Sequence, residues 1–207
     1  MIAIIDSGIA NLRSVQKGFE RVGFDAKIVE DPRALKDASG IVLPGVGAFA
    51  DGIGKLKEAG FVEPLLRAIE EGKPVLGICL GLHFLFSESE EFGIHRGLDL
   101  LKGRVRRFPD QPSAPILKIP HMGWNRIRIE RQAPIFNGIL DGSYFYFVHS
   151  YYVEPEDEGV TLATTEYGIR FVSAIWRGNL FATQFHPEKS QVWGLRLLEN
   201  FGKLAES

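Results

Sequence analysis

The most constraining feature of this sequence is a cysteine that stands between two glycines at the end of an apolar run. Residues 74–81 read Pro-Val-Leu-Gly-Ile-Cys-Leu-Gly. The run up to position 78 predicts a buried strand, and Gly77 and Gly81 allow a following helix to come close without a Cβ clash. Cys79 therefore falls at the tip of a tight strand-to-helix turn, a nucleophile elbow, where backbone angles are strained. The positive end of that helix favours an anionic sulfur.

A turn of this kind belongs to a parallel sheet with crossover helices, and the first half of the chain predicts one. Short apolar runs alternate there with helical patterns, which is typical of α/β folds. We predict strands at 2–5, 26–29, 41–43 and 74–78 and helices at 11–22 and 61–71.

From Gly103 to about Gln184 the pattern changes to closely spaced strand-like runs, which favours antiparallel or mixed pairing. The predicted strands lie at 104–108, 123–130, 144–149, 161–165, 172–176 and 180–185. The prolines around 110–115 predict a loop. A last helix follows Pro187, with Leu198, Phe201 and Leu204 on one face. The predicted class is α/β, with a mainly parallel, partly mixed open sheet, helices on both faces, and antiparallel strands in the second half.

Length and composition limit the class of protein. The 207 residues suit one domain, 1–207, and a formal net charge of -2 leaves no basic excess for binding nucleic acid. Cys79 is the single cysteine, so no internal disulfide is possible, and a reducing compartment is indicated. The apolar run at 2–5 is too short for a signal peptide, and no later run approaches the roughly 18 residues of a membrane helix. We therefore expect a soluble, cytoplasmic protein.

A thiolate nucleophile needs a base and a group that orients the base, and His186 fits best among the five histidines. It follows a predicted strand, and Glu188 comes two residues later, so both side chains leave an extended backbone on the same side. Pro187 restricts the torsion between them. Taken alone, His-Pro-Glu also suits the start of a helix, and a lone cysteine is often a small buried hydrophobe. Together the two patterns favour a triad of Cys79, His186 and Glu188.

Acyl transfer also needs donors for the oxyanion, and the loop at 44–49, Pro-Gly-Val-Gly-Ala-Phe, can supply backbone N–H groups. We assign the oxyanion donors to Val46 and Gly47, together with the amide of Leu80. The flanking glycines predict that the peptide at Val46 can rotate, so that the oxyanion hole forms only in an activated state. The loop also fits G-x-G-x-x-A, but no strand-ending acid follows about 20 residues later, which argues against a dinucleotide site.

Two motifs, Gly-Ile-Cys-Leu-Gly at 77–81 and Phe-His-Pro-Glu at 185–188, resemble the signature motifs of class I glutamine amidotransferases. Other stretches resemble one branch of that family, the glutaminase subunits of imidazole glycerol phosphate synthases; they lie at 8–14, 44–49, 121–125, 148–151 and 189–190. The resemblance covers essentially the whole chain. It implies a glutaminase of histidine biosynthesis that works through a cysteine thioester. Its ammonia would pass to a separate (β/α)₈ cyclase subunit that acts on a ribulosyl aminoimidazole carboxamide nucleotide, and no cofactor or metal is implied.

The resemblance also implies which residues contact L-glutamine, namely Gly45, Gly47, His83, His149, Ser150 and Tyr151. The chain departs from the family at Leu82-His83, where Met-Gln or His-Gln is usual and the glutamine contacts substrate. His83 lies four residues after Cys79 on the same helical face. It either donates a hydrogen bond to the ligand or packs behind the site, and the sequence leaves both open.

We expect the partner to dock over a face that carries Asn11, His121, Met122, Trp124 and Asn125. Trp124 beside the polar Asn125 is an amphipathic anchor of the kind enriched at interfaces. The alternative is a tryptophan in the core.

Two other functions remain open at this point. In an α/β hydrolase with a cysteine elbow, Asp141 or Asp157 would orient His186 in place of Glu188. A non-catalytic module of the amidotransferase type would bind a metabolite or a partner without turnover.

Overall fold

The computed structural model of the protein describes residues 1–8, 11–109 and 118–207. The loop predicted at 110–115 lies outside the described residues, as do Ile9 and Ala10 of the stretch 8–14. In the part of the chain that is described, no helix is long and apolar enough to cross a membrane.

The described residues form short strands and five α-helices. The strands are β1 (Ile2–Ile5), β2 (Ala26–Val29), β3 (Gly40–Gly45), β4 (Val75–Cys79), β5 (Phe86–Ser89), β6 (His95–Arg96), β7 (Leu101–Arg107), β8 (His121–Arg126), β9 (Arg128–Ile129), β10 (Tyr144–His149), β11 (Tyr151–Pro155), β12 (Thr161–Tyr167), β13 (Ile169–Arg177) and β14 (Leu180–Thr183). The α-helices are α1 (Leu12–Arg21), α2 (Phe49–Glu58), α3 (Val62–Glu70), α4 (Leu80–Phe84) and α5 (Gln191–Ala205). Short 3₁₀ helices lie at Pro32–Lys36, Pro134–Phe136, Glu158–Val160 and Pro187–Lys189.

One large mixed sheet organises the fold, and its first half is parallel. The strands β2, β1, β3, β4 and β14 lie side by side in that order, all parallel. The sheet then continues through antiparallel β13, β11 and β7 to β5 and β6, while β12 and β9 attach beside β13. Strands β8 and β10 form a separate antiparallel pair. Because the carboxyl ends of parallel strands lie at one edge of a sheet, the loops that follow β3, β4 and β14 lie close together at that edge.

Helices cover both faces of the parallel half, and the predicted fold class is confirmed. On one face α1 and α5 pack together, with the rings of Phe19 and Phe201 at a centroid distance of 6.0 Å. On the other face α2 and α3 bury Leu56 and Leu65. The predicted apolar side of the last helix is also confirmed, since Leu198 and Phe201 are fully buried.

The structure differs from the prediction in three places. Helix α2 was not predicted, because Gly52 and Gly54 weaken its helical pattern although Ile53 and Leu56 are buried. The predicted strand 123–130 is in fact two strands, β8 and β9, which pair with β10 and β12 respectively. The strands β5, β6 and β11 were also missed, since two are short and β11 follows β10 after a single residue.

Candidate active site

Cys79 occupies the elbow that the sequence predicts. It ends β4 and precedes α4 with φ 54° and ψ -106°, a strained conformation for a residue other than glycine. Both neighbouring glycines are required by close approach. A Cβ on Gly81 would lie 1.9 Å from the carbonyl oxygen of Leu43, and one on Gly77 would lie 3.0 Å from the Cβ of Ala182. The strand and the helix can meet at this angle only because these positions lack side chains.

His186 and Glu188 lie next to the sulfur and are paired with each other. Nδ1 of His186 donates to Oε1 of Glu188 over 2.7 Å, and both side chains are buried. The backbone around them is fastened to β10, because the amide of His186 donates to the carbonyl of Tyr146 and the Ser190 hydroxyl donates to the carbonyl of His186. The imidazole is therefore held in one tautomer, with Nε2 left for the sulfur.

The electrostatics of His186 reflect this pairing. Burial alone lowers its pKa, but the Cys79 thiolate and the Glu188 carboxylate outweigh burial and raise the pKa to about 10. Nε2 falls outside strict hydrogen-bond geometry toward the sulfur, yet it is close enough for the two charges to stabilise each other. Such contacts commonly tighten when substrate binds. The arrangement supports a thiolate–imidazolium pair.

The two alternative acids are engaged elsewhere. Oδ1 of Asp141 accepts a hydrogen bond from the amide of Ile129, and Oδ1 of Asp157 accepts one from the amide of Gly159. His186 is oriented by Glu188, which removes the geometric basis of the hydrolase alternative.

A cavity of about 280 Å³ opens over Cys79 and brings the predicted site residues together. Its lining includes Cys79, His186, Val46, Gly47, Leu80, His83, His149, Ser150 and Tyr151. Gly45 lies just outside, paired with Cys79 across β3 and β4. A larger, more open groove runs along Glu130, Glu154 and Arg170, but none of its described lining residues is a cysteine or histidine. We therefore place the site in the smaller cavity.

The predicted oxyanion loop lies at the mouth of this cavity. Val46 is 41% exposed, and Gly47 has φ 96°, which favours glycine. The end of the loop is anchored, since the amide of Phe49 donates to Oε2 of Glu91 over 2.7 Å. Within the part of the chain that the structure describes, the central peptides at Val46 and Gly47 have no such anchor.

Four further residues line the cavity that the sequence analysis did not assign to the site: Glu91, Pro120, Val148 and Lys189. Val148 and Lys189 entered it only as part of the stretches that carry the family resemblance. Glu91 follows β5, and burial raises the pKa of its carboxyl group. Its sequence neighbourhood is a run of serine and glutamate that resembles an ordinary exposed turn. Only the fold shows that one of these carboxylates enters the site.

His83 is buried, and its partner is another residue that the sequence analysis missed. Its Nε2 lies 2.8 Å from Oε1 of Gln184, and Nε2 of Gln184 lies 3.8 Å from the sulfur of Cys79. Burial lowers the pKa of His83 to about 4, so the imidazole is neutral at neutral pH.

Two buried histidines, His149 and His121, connect the cavity to β8. Nδ1 of His149 donates to the carbonyl of Tyr151, so its Nε2 accepts from Nδ1 of His121 over 2.9 Å. Nδ2 of Asn125 lies 3.2 Å from the other ring nitrogen of His121. Burial lowers the pKa of His121 to about 4 and that of His149 well below its usual value.

The residues predicted for partner docking divide between two faces of β8. Met122 and Trp124 are 61% and 46% exposed, so Trp124 is not part of the core. His121, which we expected on the docking face, is buried in this chain, because strand alternation turns its side chain toward His149. Asn125 is turned the same way and is half-buried, whereas Asn11 is exposed at the start of α1. Within the described residues no cluster of metal-binding side chains is present.

Comparison with known proteins gives one consistent family. The model for "Glutamine amidotransferase class-I" matches residues 3–204. A relative from Syntrophotalea carbinolica, named imidazole glycerol phosphate synthase subunit HisH, is 59% identical over 99% of this chain and 100% of its own length. A relative of the same name from Geobacter sulfurreducens is 55% identical over 98% of both chains. A crystal structure described as a glutamine amidotransferase superposes with a TM-score of 0.76 at 21% identity, covering 100% of both chains.

Proposed function

Since the chain belongs to the class I glutamine amidotransferase family, we propose that it is the glutaminase subunit of an imidazole glycerol phosphate synthase. In this role it hydrolyses L-glutamine to glutamate and ammonia for histidine biosynthesis. The observation that carries the proposal is the buried arrangement of Cys79, His186 and Glu188 at the floor of a cavity lined by the family's motifs.

The geometry supports a two-step acyl transfer. The Cys79 thiolate attacks the side-chain carboxamide carbon, and backbone amides of Leu80 and of the loop at Val46 and Gly47 stabilise the oxyanion. Imidazolium His186 gives its proton to the leaving nitrogen, so ammonia departs and a thioester remains. A water molecule then loses a proton to His186 and attacks the thioester, which releases glutamate and restores the thiolate.

The cavity also suggests how the amino-acid end of glutamine is held. Its α-ammonium group needs an anionic partner, and the Glu91 carboxylate is the acidic group among the described lining residues. Glu91 also accepts a hydrogen bond from the Phe49 amide at the end of the oxyanion loop. Substrate bound to Glu91 would therefore act on the residue that anchors this loop. Ser150 and Tyr151 also line the cavity, where they suit the α-carboxylate and the chain of the substrate.

The partner we propose is a (β/α)₈ cyclase subunit that receives the ammonia, in a heterodimer with this single domain in the cytoplasm. The docking surface is the outer face of the β8–β10 pair, formed by Met122, Trp124, Arg126, Tyr144 and Tyr146. Trp124 packs edge-on against Tyr146, and Lys189 lies over the Tyr146 ring and also lines the cavity. Farther along β10, the carbonyl oxygen of Val148 lies 4.0 Å from the sulfur of Cys79. A partner seated here would cover the mouth of the cavity.

The test uses Cys79→Ala in the complex with the cyclase. The variant should lose glutamine-dependent synthesis and still bind the cyclase, while added ammonia should support synthesis at the wild-type rate. A glutamine-mimicking chloroketone should label the wild type at Cys79. Retention of most glutaminase activity in Cys79→Ala would overturn the mechanism, and a wild type that neither reacts with the chloroketone nor hydrolyses glutamine would favour the non-catalytic module.

A further inference from the structure

Gln184 is a buried side chain that contacts the nucleophile and has no role in the triad. Its amide nitrogen lies 3.8 Å from the sulfur of Cys79, and its amide oxygen lies 2.8 Å from Nε2 of His83. It is completely buried, and its backbone amide donates to the carbonyl of Ser173 on β13. The side chain of Gln184 therefore lies between His83 and the sulfur of Cys79.

The chain places these groups together through two local periodicities. Gln184 and His186 are two residues apart in extended backbone just after β14, so they leave on the same side and both reach Cys79. Phe185 between them points the other way and packs against Phe145, with the two rings tilted and their centroids 4.1 Å apart. His83 lies one helical turn after Cys79 on α4 and meets Gln184 from that side.

The sulfur decides which end of the Gln184 amide faces Cys79, because an N–H donor stabilises a sulfur anion and a carbonyl oxygen repels it. A neutral imidazole has one N–H, and the amide oxygen at 2.8 Å requires that this N–H be on Nε2. The amide nitrogen of Gln184 is then turned toward Cys79. The reverse orientation would place a carbonyl oxygen against the sulfur anion.

We propose that Gln184 is a donor that stabilises and directs the Cys79 thiolate, and that His83 is a positioning residue that acts through Gln184. The sulfur would then be held between two donors on the β14 side, Gln184 and His186, with its free lone pair toward the cavity. This arrangement gives a function to His83, the residue that departs from the family pattern. Its meaning for catalysis rests on the proposed glutaminase function, but the effect on the sulfur can be measured without glutamine.

The experiment measures the rate of Cys79 alkylation by iodoacetamide as a function of pH. Titratable groups line the cavity around the sulfur from each packed element: His83 on α4, His149 on β10, Tyr151 on β11, Glu91 after β5, and His186, Glu188 and Lys189 after β14. Gln184→Met leaves all of them in place and removes the amide, that is, both the donor to the sulfur and the oxygen that meets His83. We expect the midpoint of its profile to move up by roughly one pH unit, which makes alkylation about tenfold slower below the midpoint.

Two His83 variants test the positioning role and differ from each other in no titratable group. His83→Gln can still donate to the Gln184 oxygen and should keep the wild-type profile within about twofold. His83→Leu cannot donate, so its profile should shift toward that of Gln184→Met. Ser173→Ala is the matched control, because Ser173 lies opposite Gln184 in a fully buried position and its hydroxyl has no hydrogen-bond partner among the described residues. Its profile should not move.

Identical profiles for Gln184→Met and wild type would overturn the proposal. If Gln184→Met does not fold, the proposal is tested by comparing His83→Gln with His83→Leu. Identical alkylation profiles for these two variants would also overturn the proposal. If the profiles shift as expected but the wild-type complex hydrolyses no glutamine, the proposed function fails while the role of Gln184 at the sulfur stands.

Discussion

Glu188 accepts a 2.7 Å hydrogen bond from Nδ1 of His186, although only Pro187 separates the two residues. Both side chains are buried, and the second carboxylate oxygen of Glu188 has no hydrogen-bond partner among the described residues. The carboxylate therefore acts mainly on the imidazole, and its removal should be felt in the chemical step more than in the fold.

Glu188→Gln should lower kcat for glutamine hydrolysis by roughly 10²–10⁴-fold with little change in KM, because the imidazolium loses its counter-charge and orientation. Steady-state kinetics in the presence of the cyclase measure both constants. Asp141→Asn is the control, since Asp141 bonds to the Ile129 amide, and it should leave kcat unchanged. A wild-type kcat in Glu188→Gln would mean that another acid orients His186.

The sequence predicts the site features formed by residues that are close together in the chain. It misses the hydrogen bonds between residues that are far apart in the chain and meet only in the fold. The strained elbow at Cys79 and the His186–Glu188 pair depend on residues within a few positions of each other, so a motif contains them. The Phe49–Glu91 bond spans 42 positions and the His83–Gln184 bond spans 101. Nothing in the neighbourhood of either residue indicates the other, because these contacts are set by which strands are adjacent.

The burial of His121 illustrates the same limit in one strand. The stretch 121–125 carries the family resemblance as a block, but a strand divides its side chains between two faces. The sequence placed all its members on one docking face, whereas the structure puts Met122 and Trp124 outside and His121 inside. The alternation could be applied only once the bounds of β8 and the position of the core were known.

Gly81→Ala should destabilise the protein severely, because its Cβ would lie 1.9 Å from the Leu43 carbonyl oxygen and neither backbone can move without breaking the elbow. We expect a loss of about 3 kcal/mol or more in the free energy of unfolding. Gly54→Ala is the control, since the added Cβ meets nothing within 4 Å in the interior of α2, and it should stabilise by roughly 0.5–1 kcal/mol. Urea unfolding of both variants measures the difference, and equal stabilities would contradict the geometry at the elbow.

His83 should make the protein less stable as the solution becomes acidic. Its pKa is lowered from the usual 6.5 to about 4 by burial, so the unfolded chain binds a proton between these values that the folded chain does not. The free energy of unfolding therefore falls as pH drops from about 6.5 toward 4. His83→Gln removes this titration, so its stability relative to wild type should rise with falling pH, by roughly 3 kcal/mol at pH 4. Urea unfolding at pH 7.5, 6 and 5 measures the trend, and parallel curves for the two proteins would contradict it.

The isolated protein should hydrolyse glutamine slowly, and docking of the cyclase should activate it. The central peptides of the loop at Val46 and Gly47 lie at the exposed mouth of the cavity, whereas the end of the loop is anchored at Glu91. Rotation of one peptide adds or removes one oxyanion donor, and a missing donor costs roughly 10²–10³ in kcat. Activation of about that size is what a partner can supply by favouring the competent geometry.

Two sets of contacts connect the docking surface on β8 and β10 with the cavity. Lys189 lies over the Tyr146 ring and lines the cavity, as does Val148 of β10. On the inner side of β8, the hydrogen bonds from Asn125 through His121 to His149 end at the carbonyl of Tyr151. Trp124→Ala should therefore weaken cyclase binding and reduce the activated rate, while leaving the slow rate of the isolated chain unchanged. Glu63→Ala is the control, because Glu63 is exposed on α3 and neighbours Pro32 and Arg67, outside the cavity and the β8–β10 pair. Glutaminase rates for the protein alone, with cyclase, and with cyclase plus its nucleotide ligand make the comparison. Full activity of the isolated chain, or normal binding and activation of Trp124→Ala, would show that the partner docks and acts elsewhere.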